Sequence, residues 1–196
     1  QDNGVAIEQL EVIANSSEHL LAMVGRMQQQ MKAFKLMEQP VRVDQLLAEL
    51  QLREQDLLRR HGVELKVICR QRPWLLADTV HLKEAISNLI RNSVEAMPEG
   101  GLITITITAD RKGAAITVKD NGIGIPRAQQ GLVFEPFYST KSHKKDNFGL
   151  GLSYVYNVMK KSGGSVGLES REAVGTEITL YLPRSKIIRL SGREEA

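Results

Sequence analysis

Asp120 ends an apolar, β-branched run and is followed by two glycines with a single isoleucine between them, in the stretch VKDNGIGIP at residues 118–126. A carboxylate leaving a strand accepts hydrogen bonds from an amine. Gly122 and Gly124 permit either a tight turn or the close approach of a flat ligand to the backbone. The stretch is not a dinucleotide fingerprint, because no third glycine follows and Pro126 stands where that pattern would continue. Upstream, Glu84, Asn88 and Asn92 recur at four-residue intervals, which on a helix sets them in a row on one face. Asparagine disfavours helix interiors, so two on one helix need a reason. Either the row faces solvent, or its amide oxygens suit a hard cation such as Mg²⁺ with a carboxylate close enough to act as a base. Downstream, Gly149, Leu150 and Gly151 open an amphipathic segment, where backbone N–H groups unobstructed by Cβ atoms suit phosphate. Gly175-Thr176, just ahead of the last apolar alternation, is by itself only a turn.

The elements that must position these residues follow from periodicity. Leu10, Ile13, Ser17, Leu20, Val24, Met27, Met31 and Phe34 alternate by three and four, which predicts one long helix over residues 1–40, ended by Pro40. That helix either lies on its own domain or forms a bundle seam; the bundle is preferred, and the simplest partner is the same helix of a second subunit. Asp44 is the expected N-cap of a second helix closed by Gly62. VELKVICR and WLLAD read as strands, and TVHLKEAISNLIRNSVEAM as a helix with Leu82, Ala85, Ile86, Leu89, Ile90 and Val94 on its apolar face. LITITITA and AAITVKD form a hairpin around RKG, and SVGLES with GTEITLYLP a final pair of strands. Between them lie a long irregular stretch, residues 127–148, and the helix GLGLSYVYNVMKKSG. A loop of that length in a compact domain is a lid or a binding loop.

Strands that arrive as hairpins, without regular βαβ alternation, predict an α+β two-layer sandwich with helices on one face of a largely antiparallel sheet. The expected organisation is a partial helical region at 1–40, a globular domain at 41–183 and a frayed charged tail at 184–196.

Composition narrows the classes. The 196 residues are 42% apolar and 25% charged with a formal net charge of +3, ordinary for a globular protein. Aromatics are sparse and no basic run dominates, so nucleic acid is a poor partner. Cys69 is the only cysteine, which excludes an internal disulfide and a thiolate metal cluster and fits a cytoplasmic location. No apolar run approaches the roughly 20 residues a membrane helix needs. The start at Gln1, inside a helical pattern, reads as a fragment of something longer.

Taken in order, NLIRNSVEA, DNGIGIP, FEPFYSTK, GLGLS and GTEITLYLP resemble the N box, first glycine box, F box, second glycine box and closing segment of the ATP-binding domain shared by sensor histidine kinases, DNA gyrase, a heat-shock chaperone and a mismatch-repair ATPase. The likeness is strongest to the histidine kinases and covers residues 74–183. The long helix and VRVDQLLAEL resemble the second helix of that family's dimerisation hairpin and its linker. The resemblance implies a Bergerat-type fold that binds ATP and Mg²⁺. It implies that Asp120 accepts from the adenine amino group, that Gly122 and Gly124 belong to the adenine loop with Gly124 letting the ring lie on the backbone, and that Thr176 supports the same site. Asn92 would hold Mg²⁺ with Asn88 beside it, and Glu84 is a candidate base. Gly149, Leu150 and Gly151 would meet the phosphates. Residues 137–148 would form a lid, from which Lys141, His143, Lys144 and Lys145 either reach phosphate or remain an exposed basic loop.

There are departures. Glu95 stands where many members carry a cation, and Asp146-Asn147-Phe148 where a glycine and threonine often precede GLGL; Phe148 is read instead as an anchor of the lid in an apolar pocket. None of His19, His61, His81 and His143 has the setting of the family's phosphoacceptor, which is therefore expected upstream of Gln1. The implied activity is a protein-histidine kinase: transfer of the ATP γ-phosphoryl group to histidine for relay to an aspartate on a response regulator receiver domain, in a homodimer formed through the N-terminal helix. The alternatives are a serine kinase of the same fold, which would lack the long helix, and a dimeric scaffold with a decayed nucleotide site.

Overall fold

The structure, a computed structural model, describes residues 35–139 and 149–188. In chain order its elements are β1 (Gln39–Arg42), α1 (Val43–Arg60), β2 (Val63–Cys69), β3 (Trp74–Ala77), α2 (Thr79–Glu95), β4 (Gly101–Ala109), β5 (Gly113–Asp120), α3 (Gly151–Lys161), β6 (Ser165–Arg171), β7 (Gly175–Pro183) and β8 (Ile187–Ile188). Five strands form the main sheet in the order β2-β4-β5-β7-β6; only the β2–β4 pair is parallel. A small second sheet has the order β1-β3-β8.

The period-2 pattern of the strands makes the sheet one-sided. Ile103, Ile105 and Ile107 of β4, Ala114, Ile116 and Val118 of β5, and Ile178, Leu180 and Leu182 of β7 are all buried. They join one apolar core with Leu46, Leu47 and Leu50 of α1, Leu82, Ile86, Leu89 and Ile90 of α2, and Val155, Val158 and Met159 of α3. The predicted two-layer α+β arrangement and both hairpins are thus present, and α2 lies in the middle of the helical layer, packed on α1 and α3.

Three boundaries differ from the sequence reading. The expected helix does not run to residue 40: Lys35–Glu38 carry no regular structure and Pro40 sits within β1. Proline lacks the donor a central strand needs, and β1 is an edge strand, where that lack is tolerated. Residues 1–34, with the proposed dimer seam and His19, lie outside the described residues. Asp44 is not the N-cap of α1. Arg42 holds that position, and Asp44 takes a two-pronged ion pair from its guanidinium, Nε to Oδ1 at 3.1 Å and Nη2 to Oδ2 at 2.6 Å. That hydrogen bond, more than the charge alone, draws the Asp44 carboxyl below its usual range, and burial opposes it only in part. Gly62 does close the helix, at φ +63°. Finally, order continues past residue 183. Arg184–Lys186 make one 3₁₀ turn, Ile187 and Ile188 pair with β3, and Lys186 Nζ bonds Glu38 Oε2 at 2.6 Å.

α2 is started by Asp78, whose Oδ1 accepts from the backbone N–H of His81 at 3.0 Å and whose Oδ2 accepts from that of Met37 at 2.7 Å. Burial works against its negative charge, but these N–H groups outweigh it and hold the carboxyl below the usual range. One turn on, His81 Nδ1 lies 2.7 Å from the phenol oxygen of Tyr154 on α3, a polar lock between the two helices. Burial, helped by the nearby Glu84 and Asp78 carboxylates, pushes the Tyr154 phenol up from 10.0 to about 12. A phenol whose ionisation is delayed by folding contributes stability that is complete below the unfolded value near pH 10 and is lost as pH rises toward 12. Chemical denaturation from pH 8 to 11.5 is expected to show a loss on the order of 2 kcal/mol in wild type that Tyr154→Phe does not share. Parallel alkaline losses in the two proteins would assign the effect to other groups.

Candidate functional site

The site is built where the C-terminal end of β5, the entry to β7 and the inner face of α2 meet. Asp120 is the last residue of β5 and only 6% exposed. A buried carboxylate is costly unless donors surround it, and three do. Oδ1 accepts from the backbone N–H of Gly122 at 3.0 Å and of Thr176 at 3.1 Å; Oδ2 accepts from the Ser93 hydroxyl at 2.9 Å. A carboxylate offers about four acceptor positions. By that count, donors among the described residues fill three, which leaves one acceptor position on Oδ2.

Why glycines follow Asp120 is now a matter of geometry. A Cβ on Gly122 would lie 2.6 Å from the Ala96 carbonyl oxygen, and one on Gly124, at φ +69°, would lie 2.1 Å from that of Arg171. The backbone that requires Gly124 to be bare is therefore the β6–β7 turn, a structural reason that the ligand-approach reading did not include. The loop is slung between two supports: Ile123 N–H donates to the Ala96 carbonyl at 3.0 Å, and its own carbonyl accepts from Ala173 N–H at 2.8 Å. Gly175, at φ +132°, admits β7 against the backbone of Asp120, where a Cβ would meet the carbonyl oxygen at 2.0 Å.

Thr176 reaches the site twice, by its N–H to Asp120 and by its hydroxyl, 3.0 Å from that of Ser170. Ser170 also accepts from Ile125 N–H at 2.8 Å and so fixes the far end of the glycine loop. Neither Ser93 nor Ser170 was singled out from the sequence. Ser93 had a signal, since it falls among the buried Leu89, Ile90 and Val94 where a hydroxyl needs a partner. Ser170 had none, because only the turn geometry brings it there.

Asn88 and Asn92 converge on the start of α3. The position of a Cβ on Gly151 lies 3.6 Å from Asn88 Oδ1 and 3.7 Å from Asn92 Nδ2, so a bare α-carbon leaves the amides facing the first turn of that helix. Asn88 Nδ2 is buried and, among the described residues, is the one buried side-chain nitrogen or oxygen without a hydrogen-bond partner. Leu150 is buried and its carbonyl accepts from the Ser153 hydroxyl at 2.9 Å. Gly149, at φ +65°, accepts through its carbonyl from Phe137 N–H at 3.0 Å, and a Cβ there would strike the Tyr138 carbonyl at 2.5 Å. Phe137 itself has φ +66°, rare for a bulky residue, so the segment before the glycines is held in a strained turn against them.

Glu84 is in line with the asparagines, but both of its oxygens face cations: Oε2 lies 3.6 Å from Arg53 Nη2 and Oε1 3.8 Å from Arg91 Nη1. Lys141, His143, Lys144, Lys145 and Phe148 lie outside the described residues, and Glu95 is exposed. The structure thus forms two clusters along α2: Asp120 with Ser93, Gly122 and Thr176, and Asn88 and Asn92 with Gly151 at the start of α3.

Comparison with known proteins agrees with that geometry. The sequence profile of the histidine kinase-, DNA gyrase B- and HSP90-like ATPases matches residues 77–186. Sensor histidine kinase ZraS of Escherichia coli (strain K12) is 31% identical over 182 residues, 92% of this chain and 38% of that protein. Full-length ShkA, in a crystal structure with AMPPNP, superposes with a TM-score of 0.75 at 27% identity, covering 86% of this chain and 36% of that one. Histidine kinase ThkA, in its complex with the response regulator protein TrrA, shares the fold with a TM-score of 0.71 at 22% identity over 88% of this chain and 49% of that one. This chain thus spans well under half of the curated relative's length. With the glycine loop, the asparagine row and the profile coinciding, the chain belongs to the histidine kinase-, DNA gyrase B- and HSP90-like ATPase family, as a catalytic domain of the sensor histidine kinase type.

Proposed function

We propose that the domain binds Mg-ATP along the line from Asp120 to Asn88 and donates the γ-phosphoryl group to a histidine carried by a partner helix of the same kinase. What supports this reading is that, among the described residues, a buried carboxylate is left one acceptor position by count and Asn88 Nδ2 is buried without a partner, both within the stretch that the family profile matches. Asp120 accepts from the adenine amino group, which distinguishes adenine from guanine because guanine carries an acceptor at that position. Thr176 and Ser93 hold the carboxylate still for that contact. At the other end, Asn88 Nδ2 and the first N–H groups of α3 donate to phosphate oxygens.

The donors present also fit Mg²⁺. Among the described residues no three His, Cys, Asp or Glu side chains converge on one point. A cation here would take the Asn92 amide oxygen, phosphate oxygens and water, the mixture Mg²⁺ favours. When bound it would screen the charge of the phosphates during transfer. Asn92 would hold it and Asn88 would orient the adjacent phosphate. In the transfer, an imidazole nitrogen attacks the γ-phosphorus and the N–P bond forms while the bond from phosphorus to the bridging oxygen breaks. ADP leaves with that electron pair, and the imidazole N–H proton passes to Glu84 or to solvent.

The phosphohistidine would then serve an aspartate on a receiver domain, as the ThkA complex with a response regulator supports by analogy of fold. Dimerisation through the N-terminal helix and a cytoplasmic setting, where ATP and receivers meet, complete the reading. No helix among the described residues is long and apolar enough to cross a membrane.

Two measurements test the site. Calorimetric titration with a non-hydrolysable ATP analogue is expected to show binding that needs Mg²⁺ and falls at least about 10-fold in Asp120→Asn, the loss of a charge-assisted hydrogen bond. A wild-type chain that ignores millimolar nucleotide would sink the kinase reading and favour a scaffold. Ser93→Ala, which strips one donor from the buried carboxylate, is expected to lower stability by about 1–2 kcal/mol and analogue affinity several-fold. Unchanged affinity at lowered stability would confine Ser93 to the fold.

A further inference from the structure

Glu54 of α1 is a carboxylate only 4% exposed, and nothing in the adenine or metal assignments uses it. An acid in the seam between two helices is costly unless paired. Its Oε1 accepts from the Ser87 hydroxyl on α2 and from Arg53 Nε at 3.1 Å, and lies 3.8 Å from Arg91 Nη2. Arg53 Nη2 and Arg91 Nη1 in turn approach the two oxygens of Glu84 at 3.6 and 3.8 Å. Two carboxylates and two guanidiniums thus alternate around a closed ring that spans α1 and α2.

Arg91 is the member of that ring placed for another role. It precedes Asn92, and at 100° per residue it lies about 60° around the helix from Asn88. Its side chain is 48% exposed, and both of its carboxylate contacts are 3.8 Å ion pairs, too long for hydrogen bonds. The guanidinium is therefore held in position by charge while, among the described residues, its N–H donors make no hydrogen bond. Arg53, by contrast, spends Nε on Glu54.

We propose that Arg91 is the cation that meets the terminal phosphate of a bound nucleoside triphosphate, with Glu54 as its positioning residue. The planar fork of arginine matches two phosphate oxygens, and exchanging two long ion pairs for short charge-assisted hydrogen bonds is a favourable trade. Because Glu54 is buried and fixed by Ser87, it stays in place between α1 and α2 as the anchor of the ring. Arg91 then distinguishes triphosphate from diphosphate, which neither Asp120 nor Asn92 can do. The inference rests on the reading of Asn88 and Asn92 as the phosphate end of the site.

The test is calorimetric titration of the whole chain with Mg²⁺ and either the non-hydrolysable ATP analogue or ADP, for wild type, Arg91→Lys, Arg91→Gln and Asp120→Asn. Arg91→Gln is expected to weaken the analogue about 10-fold while ADP stays within about 2-fold, from the worth of a charge-assisted bond. Arg91→Lys, which keeps the charge and loses the fork, should fall between. Equal weakening of both nucleotides, or no change in either, would overturn the proposal. The Asp120→Asn arm tests the adenine assignment separately: it should weaken both nucleotides alike, and its failure to do so would count against that assignment while the analogue-to-ADP ratio still decides the role of Arg91.

Discussion

Burying a carboxylate at the end of a central strand obliges a protein to bring donors to it, and the arrangement around Asp120 is the consequence. Its three donors come from three places: the Ser93 hydroxyl on α2, the Gly122 N–H in the loop that follows, and the Thr176 N–H at the start of β7. Meeting all three at once fixes the rotation of α2 over the sheet, the path of the glycine loop and the entry of β7. Glycine at 175 is part of the same solution, since β7 can reach the carboxylate only by passing against the Asp120 backbone. The orientation of the Asp120 carboxylate is thereby set by the fold itself.

The rest of the site depends on the two-sidedness of α2. One side sinks Leu82, Ile86, Leu89 and Ile90 into the core. The other carries Asn88 and Asn92 toward α3, and Glu84 and Arg91 toward α1. A helix buried on one stripe cannot rotate without exposing that stripe, so the apolar seam positions the polar row. The His81–Tyr154 bond and the charge ring through Glu54 pin the helix to its neighbours on either side. The Asn88–Asn92 row therefore sits on a helix held by two polar locks, and Asp120 between a strand terminus and a turn.

Much of this was legible because local chemistry and global architecture agree. Period-2 β-branched runs meant one-sided strands, and the interval of four between Glu84, Asn88 and Asn92 meant a shared face. The motif order assigned those features to one site, and the structure sets Ser93 against Asp120 and Asn88 and Asn92 against Gly151. What failed to show were boundaries decided by distant partners. Pro40 read as a helix stop, yet it enters a strand because β3 is there to pair with it. Residues 184–188 read as tail, yet Ile187 and Ile188 find β3 and Lys186 finds Glu38. Asp44 read as a cap, but a neighbouring arginine took its carboxylate first.

The sequence by itself determined the fold class, the elements of the main sheet and the helices packed on it, and the motifs in their order, because these follow from periodicity, turn chemistry and spacing within short windows. Only the tertiary structure decided what each of those residues faces. Gly124 turned out to be bare for the sake of a protein carbonyl, Glu84 to lie among guanidiniums, and Ser93, Ser170 and Glu54 to matter at all. Those outcomes depend on contacts between residues far apart in the chain, where a difference of a few tenths of an ångström separates a hydrogen bond from an ion pair and no local pattern records it.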